Sequence, residues 1–343
     1  MSLLTRTFSE VSRRDAEQAG GKGASLGELT QAGIPVPPGF VIVAEAFDQF
    51  VAEAGIGAEI ASQLKGVNVH VTHSVDAASE KIRSLFESPP ISEDLSAKII
   101  RSFDELHHEF VAVRSSATAE DGAAASWAGE LETYLYTTKL TLLDHVKKCW
   151  SSLYTPRAIF YRAEKLGLPG RFSSTRGESS HPAGGPESVA VAVVVQAMVA
   201  SEVSGVCFTV HPVTKDPNQL IIEAGWGLGE AIVSGMITPD SYVVDKRDGT
   251  ILNTYVSEQS IKIVRKPTGG TEAVDVGVDD RERQKLSNAH VLELAKLCQK
   301  IEAHYGQPQD IEWALAASQP FDQAQGKTAL QFWITQSRPI TTL

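Results

Sequence analysis

The sequence predicts a mixed α+β protein built as two lobes, and three observations carry that expectation. The chain has 343 residues, 42% hydrophobic and 21% charged, enough for two sizeable cores. Helix-period and strand-period segments follow one another without the regular βαβ alternation of a parallel sheet. The stretch PGRFSSTRGESSHPAGGPES, residues 169–188, is rich in Gly, Pro and Ser and almost free of apolar residues, so it reads as a mobile linker. The expected lobes are therefore residues 1–185, ending in that linker, and residues 189–343.

In chain order, KGASLGELTQAG reads as a helix ended by Gly33, and the prolines of IPVPPGFVIV forbid further helix. Helical patterns follow at 45–65, 76–87, 92–108 and 140–165, with a strand at FVAVRSS. Beyond the linker, VAVAVVVQAMVA from Val189 is β-branched and too short to cross a membrane, so it reads as a strand buried on both faces. Strands at 205–210, 219–224, 241–245 and 251–257, a helix at 280–305 and a closing hairpin over 310–340 complete the expected order. No internal repeat is evident.

Charge and cysteine usage exclude several classes. A net charge of −11 and a pI near 5.3 disfavour a broad basic face for nucleic acid, so any phosphate bound is small and locally held. Cys149, Cys207 and Cys298 lie far apart with no CxxC pair, which excludes a cysteine zinc site and fits a reducing compartment, the cytoplasm by default. The amino-terminal MSLLTRTFSEVSRRD lacks a signal-peptide core, and no run reaches the roughly 20 apolar residues of a membrane helix.

Four spots could carry chemistry. AGGKGASLGEL sets Lys22 among glycines just before a helix, where backbone N–H groups and the helix dipole favour an anion, although the spacing is not that of a Walker loop. In FVAVRSSATAEDGAAASWAGELETYLY, Arg114 ends an apolar strand. It could pair with Glu120 or Asp121, or serve a ligand over which the small residues Gly122 to Ala125 close and to which Gly129 offers its N–H. In EAGWGLGEAIVSG, Gly225, Gly227 and Gly229 alternate after a strand, which tight strand-to-helix packing explains as well as a ligand does.

The closing hairpin is the fourth. Asp310 and Glu312 stand two apart in an apolar run, as do Gln336 and Arg338, and period-two spacing puts each pair on one strand face. A buried Glu312–Arg338 ion pair is one reading, but desolvating four polar side chains costs more than such a pair usually returns. A divalent metal and an anion held together is the other: Mg2+ takes oxygens from one or two carboxylates and from phosphates, and Arg stabilises a phosphoryl group in transfer. The histidines offer no competing site. His107 and His108 are adjacent in an amphipathic helix and point apart, and neither HExxH nor GxSxG occurs.

Taken together and in order, GGKGASLGELTQAGIPVPPGFVI, VAVRSSATAED, SWAGELETYL, VVVQAMVASEVSGVCFT, IIEAGWGLGEAIVSG with PDSYVV, and DIEWAL with ITQSRPI resemble the ATP-binding domain of the phosphoenolpyruvate synthase and pyruvate, phosphate dikinase family, which includes rifampin phosphotransferases. The resemblance covers nearly the whole chain. It implies an ATP-grasp-like pair of lobes with nucleotide between them, the first gripping phosphates and the second holding adenine and metal.

By position, the resemblance implies that Lys22 and Arg114 contact ATP phosphates and that Gly129 and Thr133 line the loop covering them. Gln196 and the backbone of Met198 and Val199 would face adenine. Glu312 and Gln336 would hold Mg2+ and nucleotide, accompanied by Asp310, and Arg338 would reach the phosphoryl group; Glu223 and Glu230 would help to shape the site. The implied activity is cleavage of MgATP to AMP and phosphate, with transfer of a phosphoryl group to a histidine on a separate domain or partner. Family members continue past QSRPI into a small swivelling domain with that histidine, and no histidine here lies in a TSHAA-like segment. The expected partners are thus a phosphohistidine-domain protein or further C-terminal domains, and a small acceptor, with neither nucleic acid nor membrane. The alternatives are a stand-alone kinase or ligase acting on an antibiotic or metabolite, and a nucleotide sensor without chemistry.

Overall fold

The computed structural model describes residues 4–118, 132–166, 190–317 and 330–341. The linker 169–188 and Gly129 lie outside these residues. The chain forms two compact units, Met1–Glu28 with Pro38–Met198, and Leu29–Pro37 with Val199–Leu343.

In the first unit, strands β1 (Thr5–Thr7), β2 (Gly39–Ile42), β3 (Val111–Ala117), β4 (Thr133–Thr137) and β5 (Val191–Ala197) form an antiparallel sheet in the order β1-β2-β5-β3-β4. The expectation that residues 189–199 open the second lobe is corrected here. A Val-rich run without polar alternation needs cover on both faces, and β5 finds it in the middle of the first sheet, with all seven residues buried.

One face of this sheet, carrying Phe40, Ile42, Val111, Val113, Val193 and Val195, shares a core with Phe47, Phe86 and Trp150. These come from α2 (Ala44–Glu53), α4 (Thr72–Glu87) and α6 (Leu142–Ser151). The helix expected at 45–65 is two, because Gly55 at φ 65° breaks it before α3 (Gly57–Lys65). That expected at 140–165 likewise breaks into α6, a short turn and α7, which starts at Pro156 (Pro156–Leu166). In α5 (Glu93–Leu106) the left-handed His107, φ 55°, caps the carboxyl end, so neither His107 nor His108 is inside the helix as expected.

The remaining helix, α1 (Ala16–Gln31), ends as expected. Gly33 adopts φ 68°, and the N–H groups of Gly33 and Ile34 return to the carbonyls of Thr30 and Leu29.

The second unit is a six-stranded antiparallel sheet in the order β13-β12-β6-β7-β8-β9. Its strands are β6 (Val203–Phe208), β7 (Gln219–Trp226), β8 (Asp240–Asp245), β9 (Ile251–Tyr255), β12 (Gln309–Ala317) and β13 (Leu330–Pro339). A separate hairpin, β10 (Ile261–Arg265) with β11 (Thr271–Asp275), bridges to Gly227 through Ile263. The short helices α8 (Glu230–Val233) and α9 (Val278–Arg281) precede α10 (Asn288–Tyr305), which Ser287 caps by accepting from His290 N–H. The helix expected at 280–305 therefore starts at Asn288. Its residues Val291, Leu294, Cys298 and Ile301 pack on Cys207, Ile222, Tyr242, Ile311, Trp313 and Ile334 from one sheet face.

Near the start of α10, Lys285 and Asp240 form an ion pair at 3.0 Å with both side chains fully buried. Asp240 also accepts from Tyr242 hydroxyl and from the N–H groups of Ser257 and Lys285, so its oxygens are satisfied. The three cysteines are free and buried. Among the described residues no helix is long and apolar enough to cross a membrane.

Candidate functional site

Among the described residues, most of those singled out by the sequence lie in two places, one in each unit. Directly opposed residues of antiparallel strands share a sheet face. In the first unit Ala112 opposes Gln196, Arg114 opposes Val194 and Thr133, and Ser116 opposes Ala192. Arg114, Ser116, Thr133 and Gln196 therefore lie on the face away from the Phe47–Trp150 core. Arg114 Nη1 donates to Gln196 Oε1 at 3.3 Å, both side chains being buried. Since a guanidinium can only donate, this fixes the amide: its oxygen faces Arg114, and Nε2 is a buried donor without a partner in the described structure. Glu120 and Asp121, the alternative partners, lie outside the described residues.

Over this face lies α1, which bears Lys22 and is interrupted at Gly20 with φ 68° and ψ 171°. A Cβ on Gly23 would touch Val41 at 3.0 Å, and Val41 opposes Val194 on the Arg114 face. Lys22 is half-buried and Thr133 exposed. Met198 spends its N–H on the Phe110 carbonyl at 3.0 Å, which leaves less of its backbone for a ligand than the sequence reading assumed.

In the second unit the row Gln336, Glu312, Val206, Glu223, Ser241, Tyr255 crosses the sheet, and Arg338, Asp310, Phe208, Ile221 form the next. Both rows lie on the face away from α10. A bulge makes this possible. Ile334 opposes Trp313 and Gln336 opposes Glu312, so Thr335 is an extra residue that turns Gln336 and Arg338 out of the face to which Phe332 and Ile334 belong. Were the strand regular, with Thr335 in the ladder, period two would carry both polar residues into the core.

The ion pair in this hairpin differs from the one considered in the sequence. Arg338 binds Asp310, at 2.7 Å through Nη2 and 2.8 Å through Nε, and not Glu312. The Asp310 side chain is 13% exposed and that of Arg338 44%, so the cation keeps one side toward solvent. Burial lifts the Asp310 carboxyl above its ordinary value despite Arg338, and Glu312 pushes the same way. Glu223 is lifted by burial and by the charge of Asp310. Glu312 is half-buried and Gln336 buried. Beside them Val199, Ala314 and Ala316 form a small apolar cluster against Trp333.

Among the described residues no three His, Cys, Asp or Glu side chains converge into a metal cage. A cation here would take one or two protein oxygens and depend on a ligand for the rest, the pattern of Mg2+. Of the residues considered less firmly, Glu223 joins the Glu312 row, whereas Glu230 is exposed on α8. Gly227, at φ 81°, would drive a Cβ to 2.5 Å from Ile263 carbonyl, so close packing accounts for that glycine. Sequence reading did not single out Ser116, which lies on the Arg114 face and touches α1 at Gly23 and Ala19.

The chain is 42% identical over 343 residues to a probable phosphoenolpyruvate synthase of Methanocaldococcus jannaschii, covering 98% of this chain and 26% of that protein. Against its counterpart in Archaeoglobus fulgidus it is 42% identical, over 98% of this chain and 41% of the relative. Against rifampicin phosphotransferase of Bacillus subtilis it is 36% identical, over 100% and 36%. The chain thus spans less than half the length of these relatives. Residues 16–343 match the family model described as pyruvate phosphate dikinase, AMP/ATP-binding domain, and the chain belongs to that family.

Proposed function

We propose that the chain binds ATP with Mg2+ and passes a phosphoryl group from it to a histidine on a further domain or partner, leaving AMP and phosphate. The observation that carries this is the polar face of the second sheet, where Glu312 faces Gln336 and Asp310 holds Arg338 across a bulged hairpin. In this reading the arrangement is ATP-grasp-like, and the two units share one nucleotide. Lys22 and Arg114 hold the phosphates, and Gly129 and Thr133 belong to the segment covering them. The leftover N–H of Gln196 suits a ring nitrogen of adenine, with the Met198–Val199 backbone alongside. Glu312 and Gln336 would hold Mg2+, whose chemistry is to neutralise charge between phosphates. Asp310 keeps Arg338 aimed, and Arg338 stabilises the group in transfer.

The clamp can stabilise charge but cannot accept the phosphoryl group, so an acceptor has to come from elsewhere. The phosphoenolpyruvate synthase relatives favour a dikinase-like route and the rifampicin phosphotransferase relative a small-molecule acceptor. Three buried free thiols suit a reducing cytoplasm. Calorimetric titration with ATP, with and without Mg2+, tests the reading: Mg2+-dependent binding is expected, and a folded sample that binds no ATP would sink it. Chromatography of nucleotides after incubation with acceptor separates the routes, AMP marking the dikinase-like one and ADP direct kinase chemistry.

A further inference from the structure

Ser116 is fully buried on β3, two residues beyond Arg114 and hence on the same strand face. Its hydroxyl accepts from Gly23 N–H at 3.2 Å and donates to Ala19 carbonyl at 2.9 Å. Between those partners lies Gly20, whose backbone at φ 68° and ψ 171° is in a region essentially restricted to glycine. A Cβ there would fall 2.2 Å from Ser116 Oγ and 2.3 Å from its carbonyl oxygen, so α1 and β3 approach backbone to backbone. The helix that resumes after Gly20 has N–H groups that an N-cap side chain would ordinarily satisfy. Glycine has no side chain to offer. Ser116 supplies the oxygen from another strand, reaching the third amide of the resumed helix as an N-cap serine does from its own position.

We propose that Ser116 is a positioning residue for the phosphate grip: by capping, from β3, the helix start that bears Lys22, it fixes Lys22 relative to Arg114. The proposal rests on the reading that these two cations hold the ATP phosphates. One donor and one acceptor function of the hydroxyl are spent on α1, so Ser116 acts through Lys22 and not on the nucleotide. Removing the hydroxyl deprives Gly23 N–H of its partner and frees the helix start to shift against Arg114. The loss falls on phosphate binding and spares the base.

The test is calorimetric titration of the full chain, wild type and Ser116→Ala, with ATP and with adenosine in the presence of Mg2+. ATP affinity is expected to fall about tenfold, the scale of one lost cap, with adenosine affinity unchanged. Ser116→Cys keeps the volume and a weak acceptor, is expected to lose less, and takes the place of Ser116→Ala should the latter not fold. A lower melting temperature with an unchanged ratio of ATP to adenosine affinity would make Ser116 merely structural and overturn the proposal. So would equal losses for the two ligands. A wild type that binds no ATP overturns the functional reading and the positioning role with it, whereas a wild type that binds and a Ser116 variant that binds equally well overturn only the latter.

Discussion

Glu312 stands opposite Gln336 and half-buried, so its carboxylate can meet a cation without first unfolding the hairpin. Glu312→Ala removes that oxygen and should lower the Mg2+-dependent part of ATP affinity by more than the roughly tenfold that even an indirect metal partner is worth. Calorimetry at several Mg2+ concentrations reads this directly; an unfolded variant whose refolded fraction keeps its ATP affinity would mark Glu312 as structural. Glu223, in the same row, leads to a pH prediction. Burial and Asp310 hold its folded pKa above the ordinary 4.5. From there up to the folded value the native state binds more protons than the unfolded one, so stability falls as pH rises through that window and stays lower above it. Glu223→Gln, neutral throughout, should be more stable than wild type at pH 7, with the gap closing toward pH 4. Denaturant midpoints at the two pH values check this, and an equal gap at both would refute it. Lys22, Arg114, Asp310 and Arg338 were legible because charges beside glycines or inside apolar runs are conspicuous. Ser116 was not, since a serine in a strand declares its partner only when α1 is folded against it.

Among the elements, the bulge at Thr335 reconciles the core-facing Phe332 and Ile334 with the outward Gln336 and Arg338 on one strand. Deleting Thr335 makes Gln336 the neighbour of Ile334, so unbroken alternation leaves Gln336 opposite Glu312 and Arg338 opposite Asp310. No charge enters the core, and the variant should fold and melt close to wild type. Circular dichroism melting tests it; a deletion variant that unfolds or melts far below wild type would mean that the polar residues had turned toward α10. The long strands and the Gly33 helix end could be read from sequence because apolar periodicity and a left-handed glycine are local signals. Three kinds of element escaped. β1 and β4 are short, the β10–β11 hairpin carries charges on half-exposed strands with no apolar run, and the Gly55 and Pro156 breaks interrupt helices whose apolar pattern continues across them.

For the molecule as a whole, the fold class and the presence of two units were visible in length and composition, but the boundary was not. The Gly/Pro/Ser stretch at 169–188 marks a change of composition, whereas membership of a unit is decided by hydrogen bonding, which the composition of β5 does not reveal. The chain passes from one unit to the other after Glu28, back after Pro37, and over again after Met198. Neither unit is therefore a contiguous piece of polypeptide, and no single cut yields both intact. A fragment ending at residue 188 would lack β5, exposing edges on β2 and β3 that invite association with other chains. Expressed alone it should precipitate, and co-expression with 189–343 should return soluble protein, as sedimentation of the lysates would show. A soluble, monomeric 1–188 fragment would contradict this. The same interlacing bears on descent: recombination that moved residues 1–188 alone into another gene would deliver a sheet missing its middle strand, so this ATP-binding module can be traded between genes only whole.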